Sequence, residues 1–234
     1  MSLSILAIET CSEICSVALT HEGVQNQQLS VEPRGHADNV LPLVDGLIKQ
    51  AGIALTDLDA IAFTRGPGAF TGVRIGTSVA QGIALAAELP VIAISSLAVL
   101  AQSCYRETQH SSCIAALDAR MSEVYVGFYQ LDEQGCMQIT QDDQVSEPSL
   151  IHCDNEQTYS DNTQCWQGYG AGWTHYLQAM SERFKSWNTA KPVDVFYPQA
   201  IDLLTLAEQQ YRLGNLLDPA EAMPVYVRDN VVRS

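Results

Sequence analysis

The chain has 234 residues, 47% of them apolar, enough to bury a substantial core in one large or two small domains. Its formal net charge is −15, from 12 Lys and Arg against 27 Asp and Glu, with no basic run in compensation, so counterion release cannot support unaided binding to nucleic acid. Seven cysteines without a CxxC pair and five scattered histidines give neither a disulfide framework nor a metal-ligand spacing. There is no cationic leader and no apolar run of membrane length, so a cytoplasmic location without membrane association is expected.

In chain order, residues 3–8, 15–20 and 24–30 read as strands of an antiparallel meander. A helix follows, capped by Asp38 or Asn39, with Pro42 in its first turn, His36 in the loop before it and Gly52 ending it. Its apolar face is Val40, Leu41, Val44, Leu47, Ile48 and Ala51. Residues 60–63 form a short apolar strand, and Arg65-Gly66-Pro67-Gly68 makes a tight loop expected to aim N–H groups outward. A helix over about 71–89, with Thr71 as its cap, leads into strand 91–94; such a crossover joins two parallel strands with right-handed sense. The glycine loop lacks the Lys-Ser/Thr of a P-loop and the spacing of a dinucleotide fingerprint. Gly72, Gly76, Ala80, Ala84 and Ala87 share one helix face, which admits another helix of this chain or of a partner at close range.

A helix from Ser95 or Ser96 to about residue 104 ends in a polar boundary at 108–112, after which the chain begins again. Ile114-Ala-Ala-Leu-Asp118 followed by Ser122-Glu123 echoes Ile5-Leu-Ala-Ile-Glu9 followed by Ser12-Glu13, at an offset of 109 for the acids and 110 for the Ser-Glu pairs. Residues 138–163 read as a polar excursion with one short helix near 147–152. Residues 166–172 read as a glycine turn, 173–184 as an amphipathic helix, and 194–198 as a strand or extended link. A last helix, 201–213, stops at Gly214 before an extended tail at 224–232 whose Arg228 would pin it to a lobe. The expected division is a first lobe over 1–105, a second over 106–215, and a tail over 216–234 packing back on the body.

Together the motifs ILAIET at 5–10, RGPGAFTGVRIG at 65–76, LPVIAIS at 89–95, DARMSEVY at 118–125 and PVYVRDN at 224–230 resemble the TsaB (YeaZ) family, relatives of the TsaD proteins. The resemblance implies a two-lobed, duplicated actin-like α/β fold (ASKHA, ribonuclease H-like). It also implies a non-catalytic partner of TsaD in making threonylcarbamoyladenosine in tRNAs that read ANN codons. The expected partners are TsaD in a heterodimer, the ATPase TsaE with that pair, and tRNA only through the complex, with a homodimer when TsaD is absent.

TsaD carries a metal-binding H-x-x-x-H whose positions fall here on Ser96 and Leu100, which cannot replace two imidazoles at a metal. Its second glycine-rich phosphate turn falls on Asp118-Ala119-Arg120-Met121, which has no glycine. Glu9, Thr10, Asp118 and Arg120 are accordingly expected to be vestigial nucleotide turns, with no catalytic residue, metal or cofactor, and with ATP affinity weak or lost in the isolated chain. The expected docking surface is Val40, Val44, Leu47 and Ile48 on one helix with Gly72, Val73, Gly76, Val79, Ala80 and Ile83 on the next. Arg65, Gly66, Gly68, Thr71 and Arg74 would contact an anion or a partner. Two other classes compete. An ATP-dependent phosphotransferase of the same fold would use Glu9 and Asp118 to hold Mg²⁺. A glycoprotease-type hydrolase would need an activated nucleophile or a metal-bound water, and no G-x-S-x-G or HExxH is present.

Overall fold

Two β-meanders, each extended by parallel strands, organise the chain. In the first, β1 (Ile5–Glu9), β2 (Cys15–His21) and β3 (Val24–Ser30) run antiparallel, and β4 (Ala60–Thr64) and β5 (Val91–Ile94) join parallel to β1, in the order β3-β2-β1-β4-β5. In the second, β6 (Ser112–Arg120), β7 (Glu123–Leu131) and β8 (Met137–Ser146) are antiparallel, with β9 (Trp166–Tyr169) and β10 (Thr189–Ala190) parallel to β6. The order β10-β9-β6-β7-β8 repeats the first sheet strand for strand, with Glu9 and Asp118 at equivalent positions. This is the duplication that the offset repeat announces. The structure is a computed structural model describing residues 2–32, 34–154, 165–190 and 197–227.

The chain divides into two units, Met1–Val99 with Pro198–Val225, and Leu100–Tyr197 with the segment from Tyr226 onward. In the first, α1 (His36–Ala51) and α2 (Phe70–Ala87) cover one face of the sheet, where Leu6, Ile8, Val17, Leu19, Ile61 and Phe63 meet Val40, Val44, Leu47, Ala80, Ile83 and Ala84. The other face, at Ser16 and its neighbours, is covered by α6 (Ala200–Arg212). That helix departs from the expected division, which placed it in the second lobe. The reason is its N-terminus: the N–H groups of Ala200 and Ile201 donate to Ser16 Oγ (2.9 Å) and Gln27 Oε1 (2.8 Å), so the first sheet supplies the cap that Gln199 does not. Leu217 then exchanges two backbone hydrogen bonds with Val91 (2.9 and 3.0 Å), fixing residues beyond α6 to the edge of β5.

The second unit holds its core with aromatic rings. Phe128, Trp166, Trp173, Phe184 and Trp187 are all buried, with Phe184 and Trp187 edge to face at 5.1 Å and Trp166 and Trp187 tilted against each other at 5.3 Å. The helix expected over 173–184 is two short ones, α4 (Ala171–His175) and α5 (Leu177–Arg183), broken at Tyr176. The glycine turn expected at 166–172 begins as β9, and the polar stretch from 138 begins as β8. α3 (Ser96–Thr108) follows β5 as expected. The expected strand or link at 194–198 falls mostly, and the tail beyond 227 with Arg228 wholly, outside the described residues.

Helix starts differ from expectation in a way that matters for the site. α1 opens at His36, without a side-chain cap, because His36 Nε2 bonds Ser12 O at 2.9 Å; Pro42 therefore lies inside the helix. α2 opens at Phe70, so Thr71 is not its cap, and it ends on Glu88 in the left-handed region (φ 56°).

Candidate functional site

Glu9 ends β1 fully buried. Its carboxylate accepts hydrogen bonds from Thr64 Oγ1 (2.5 Å) and the Cys11 N–H (2.9 Å). Burial pushes its pKa from about 4.5 up to about 7, against the opposing pull of Thr64 and the turn's backbone N–H groups. Thr10 is equally buried and donates from Oγ1 to Gly72 O at 2.8 Å. The Cys11 thiol donates to Thr64 Oγ1 (3.1 Å), and burial, reinforced by Glu9, raises its pKa well above the ordinary thiol value. A thiol held in its neutral form is not a nucleophile.

The equivalent turn of the second unit is filled by other means. Asp118 accepts from the Arg120 N–H (2.9 Å) and from Tyr176 OH (3.2 Å), pairs with Arg120 Nη1 (3.0 Å), and has His175 Nδ1 at 3.6 Å. Burial, then Asp118, raises the Tyr176 pKa, so the phenol remains a donor. Both turn carboxylates are thus occupied by donors of their own chain. Among the described residues no three His, Cys, Asp or Glu side chains converge as metal ligands. Ser96 and Leu100, at the positions of the TsaD histidine pair, are both fully buried.

The β6–β7 turn carries three consecutive non-glycine residues in the left-handed region: Arg120 (φ 63°), Met121 (54°) and Ser122 (63°). A two-residue hairpin turn favours Asn-Gly there, and left-handed L-residues cost about 1–2 kcal/mol each. Replacing Met121-Ser122 by Asn-Gly is therefore expected to stabilise the fold by about 1–2 kcal/mol. Urea midpoints would show it; an unchanged midpoint would mean the native pair makes contacts that offset the strain.

Backbone hydrogen bonds tie the glycine loop to the Glu9 turn and to the end of β5. The Arg65 N–H donates to Ile94 O (2.9 Å), Gly66 O accepts from the Ser96 N–H (2.9 Å), and the Ala69 N–H donates to Cys11 O (2.8 Å). The backbone of Arg65 also accepts from the Val225 N–H (2.8 Å), while its side chain is exposed. A Cβ on Gly68 would lie 2.3 Å from Cys11 O, so close approach to the Glu9 turn explains that glycine.

The expected docking surface requires correction. Val40, Val44, Leu47, Gly72, Val73, Gly76, Ala80 and Ile83 are buried within the first unit, and Ile48 and Val79 are half-buried. The small-residue face of α2 admits the Glu9–Cys11 turn: a Cβ on Gly72 would sit 2.0 Å from Thr10 O, and one on Gly76 2.4 Å from Thr10 Oγ1. The exposed side of α2 lies one step around the helix. Thr71, Ser78 and Gly82 are exposed beside half-buried Ile75, and a Cβ on Gly82 would meet nothing within 4 Å. Phe70 is 65% exposed with the Arg74 guanidinium 3.2 Å above its ring, and Leu41 on α1 is 53% exposed. Ala37, Phe70, Thr71, Arg74, Ile75, Ser78 and Val79 line a shallow depression of about 390 Å³. The signal for this face was present as the apolar and small residues at 71, 75, 78 and 82, which share a helix side.

Two sheets of matching strand order, each a meander extended by parallel strands, define a duplicated actin-like α/β protein. The family model described as TsaD, tRNA N6-adenosine threonylcarbamoyltransferase, matches residues 19–165. The tRNA threonylcarbamoyladenosine biosynthesis protein TsaB of Escherichia coli is 39% identical over 98% of this chain and 96% of its own, and that of Haemophilus influenzae 32% identical over 98% and 95%. The solved structure of YeaZ from Pseudomonas aeruginosa is 42% identical, covers 96% of this chain and 99% of its own, and superposes with a TM-score of 0.84. The chain belongs to the TsaB (YeaZ) family, related to TsaD.

Proposed function

We propose that this protein acts in tRNA threonylcarbamoyladenosine biosynthesis as a non-catalytic subunit that docks TsaD through the outer face of α1 and α2. The observation that carries this reading is the contrast between the two regions. Both turn carboxylates are consumed internally, whereas Phe70, Leu41 and the Thr71–Ser78–Gly82 stripe present apolar and small residues outward. A phosphotransferase would need those carboxylates free for Mg²⁺. In this reading the TsaB–TsaD pair recruits TsaE, meets ANN-decoding tRNAs only as a complex, and works in the cytoplasm. The isolated chain holds ATP weakly or not at all, and pairs with itself over the same face until TsaD competes the homodimer away. Among the described residues no helix is long and apolar enough to cross a membrane.

Burying a phenylalanine ring contributes up to about 2–3 kcal/mol. Phe70→Asp is therefore expected to weaken TsaD capture about a hundredfold with folding retained, since the side chain is already exposed. Titration calorimetry with purified TsaD measures this, with circular dichroism confirming the fold. Full-strength capture by the folded variant would place the contact elsewhere.

A further inference from the structure

A second apolar surface lies at the far end of α2 from Phe70, fifteen residues on, which is roughly 22 Å at 1.5 Å per residue. The last turn of α2, its cap Glu88 and the Leu89-Pro90 entry to β5 form one wall of a groove of about 540 Å³; Leu216, Leu217, Asp218 and Pro219 form the other. Both walls are fixed. Leu217 is tied to Val91 by two backbone hydrogen bonds, and Gln81 Nε2 donates to Pro219 O at 2.9 Å. The floor includes fully buried Ala84, and the sides expose Leu85 (56%) and Leu217 (37%). The groove is therefore preformed, and a ligand would order little protein on entering it.

Its charge has one sign. Glu88 and Asp218 stand on opposite walls with Glu221 beyond, and no Lys or Arg occurs between Arg74 and Arg106 or between Arg212 and Arg228. An acidic rim around exposed leucines matches a cationic, apolar segment and disfavours an acidic one. We infer that this groove binds a segment of a protein partner that inserts an apolar side chain between Leu85 and Leu217 and brackets it with Lys or Arg facing Glu88 and Asp218. The inference does not depend on what docks at Phe70.

The test uses the full chain and two amphipathic peptides of about 18 residues, one of leucine and lysine and one with glutamate in place of each lysine. Nuclear magnetic resonance titration locates binding and calorimetry measures it. The lysine peptide is expected to shift the amides around Leu85, Glu88 and Leu217, and the glutamate peptide to shift none of them. Glu88→Lys combined with Asp218→Asn should weaken binding at least about tenfold. Leu85→Ser, at an exposed position, should do the same without touching charge. Shifts spread over the whole acidic surface, shifts centred on Phe70, no binding at millimolar peptide, or unchanged affinity in folded Leu85→Ser would each overturn the assignment.

Discussion

Gly72→Ala is expected to destabilise the protein by about 2–4 kcal/mol, while Gly82→Ala in the same helix is neutral or stabilising by up to about 1 kcal/mol. Helix propensity favours alanine equally at both sites, so the difference reports only what each new methyl meets. At Gly72 it meets Thr10 O at 2.0 Å and Thr10 C at 3.2 Å, which are backbone atoms at the end of β1 and cannot swing away. Relieving that overlap separates α2 from the turn and breaks the buried Thr10 Oγ1 to Gly72 O hydrogen bond. At Gly82 the space is open. Denaturant midpoints for the two variants decide between a small-residue face that packs within the unit and one that faces outward. Equal effects would contradict the placement of α2.

Stability should fall as pH rises from about 4.5 to about 7, and Glu9→Gln should remove that part of the slope. The sign follows from the raised pKa. Below about 4.5 the carboxyl is protonated in both folded and unfolded chains and contributes no difference. Between 4.5 and 7 the unfolded chain ionises while buried Glu9 holds its proton, so unfolding gains. Above about 7 both states are ionised and the loss levels off at roughly 3 kcal/mol. Subtracting the Glu9→Gln stability curve from that of the native chain isolates this group from other titrations. A flat difference curve would mean that Glu9 stays ionised in the fold, restoring a charged carboxylate to the turn.

The duplicated fold was legible because its signals are local: each half opens with a buried strand carrying an acid at or near its end, a Ser-Glu pair and a second strand. β8 was illegible for a physical reason. Met137–Ser146 lies at the edge of its sheet with only Met137 buried, so its composition is that of a loop. β9, as Trp-Gln-Gly-Tyr, hides behind a glycine that allows close approach: a Cβ on Gly168 would lie 2.6 Å from the Trp173 ring. The missing glycine of the second turn could be read from the sequence, but the donors to Asp118 could not, because His175 and Tyr176 come from 57 and 58 residues away. The face expected to dock a partner is buried in the first unit, and the exposed side of α2 is one helical step away. Periodicity shows that two sides of α2 carry small residues; it does not say which one meets β1.

Reconstitution of tRNA threonylcarbamoylation from purified components tests the central claim most directly. With TsaD, TsaE and tRNA present, modification is expected to require this chain and to survive Glu9→Gln and Asp118→Asn, provided each variant still folds and captures TsaD. The chain alone should show no Mg-ATP hydrolysis. Modification abolished by either carboxylate substitution in a folded, TsaD-bound chain, or ATP turnover by the chain alone that those substitutions remove, would contradict a non-catalytic subunit and restore the phosphotransferase reading.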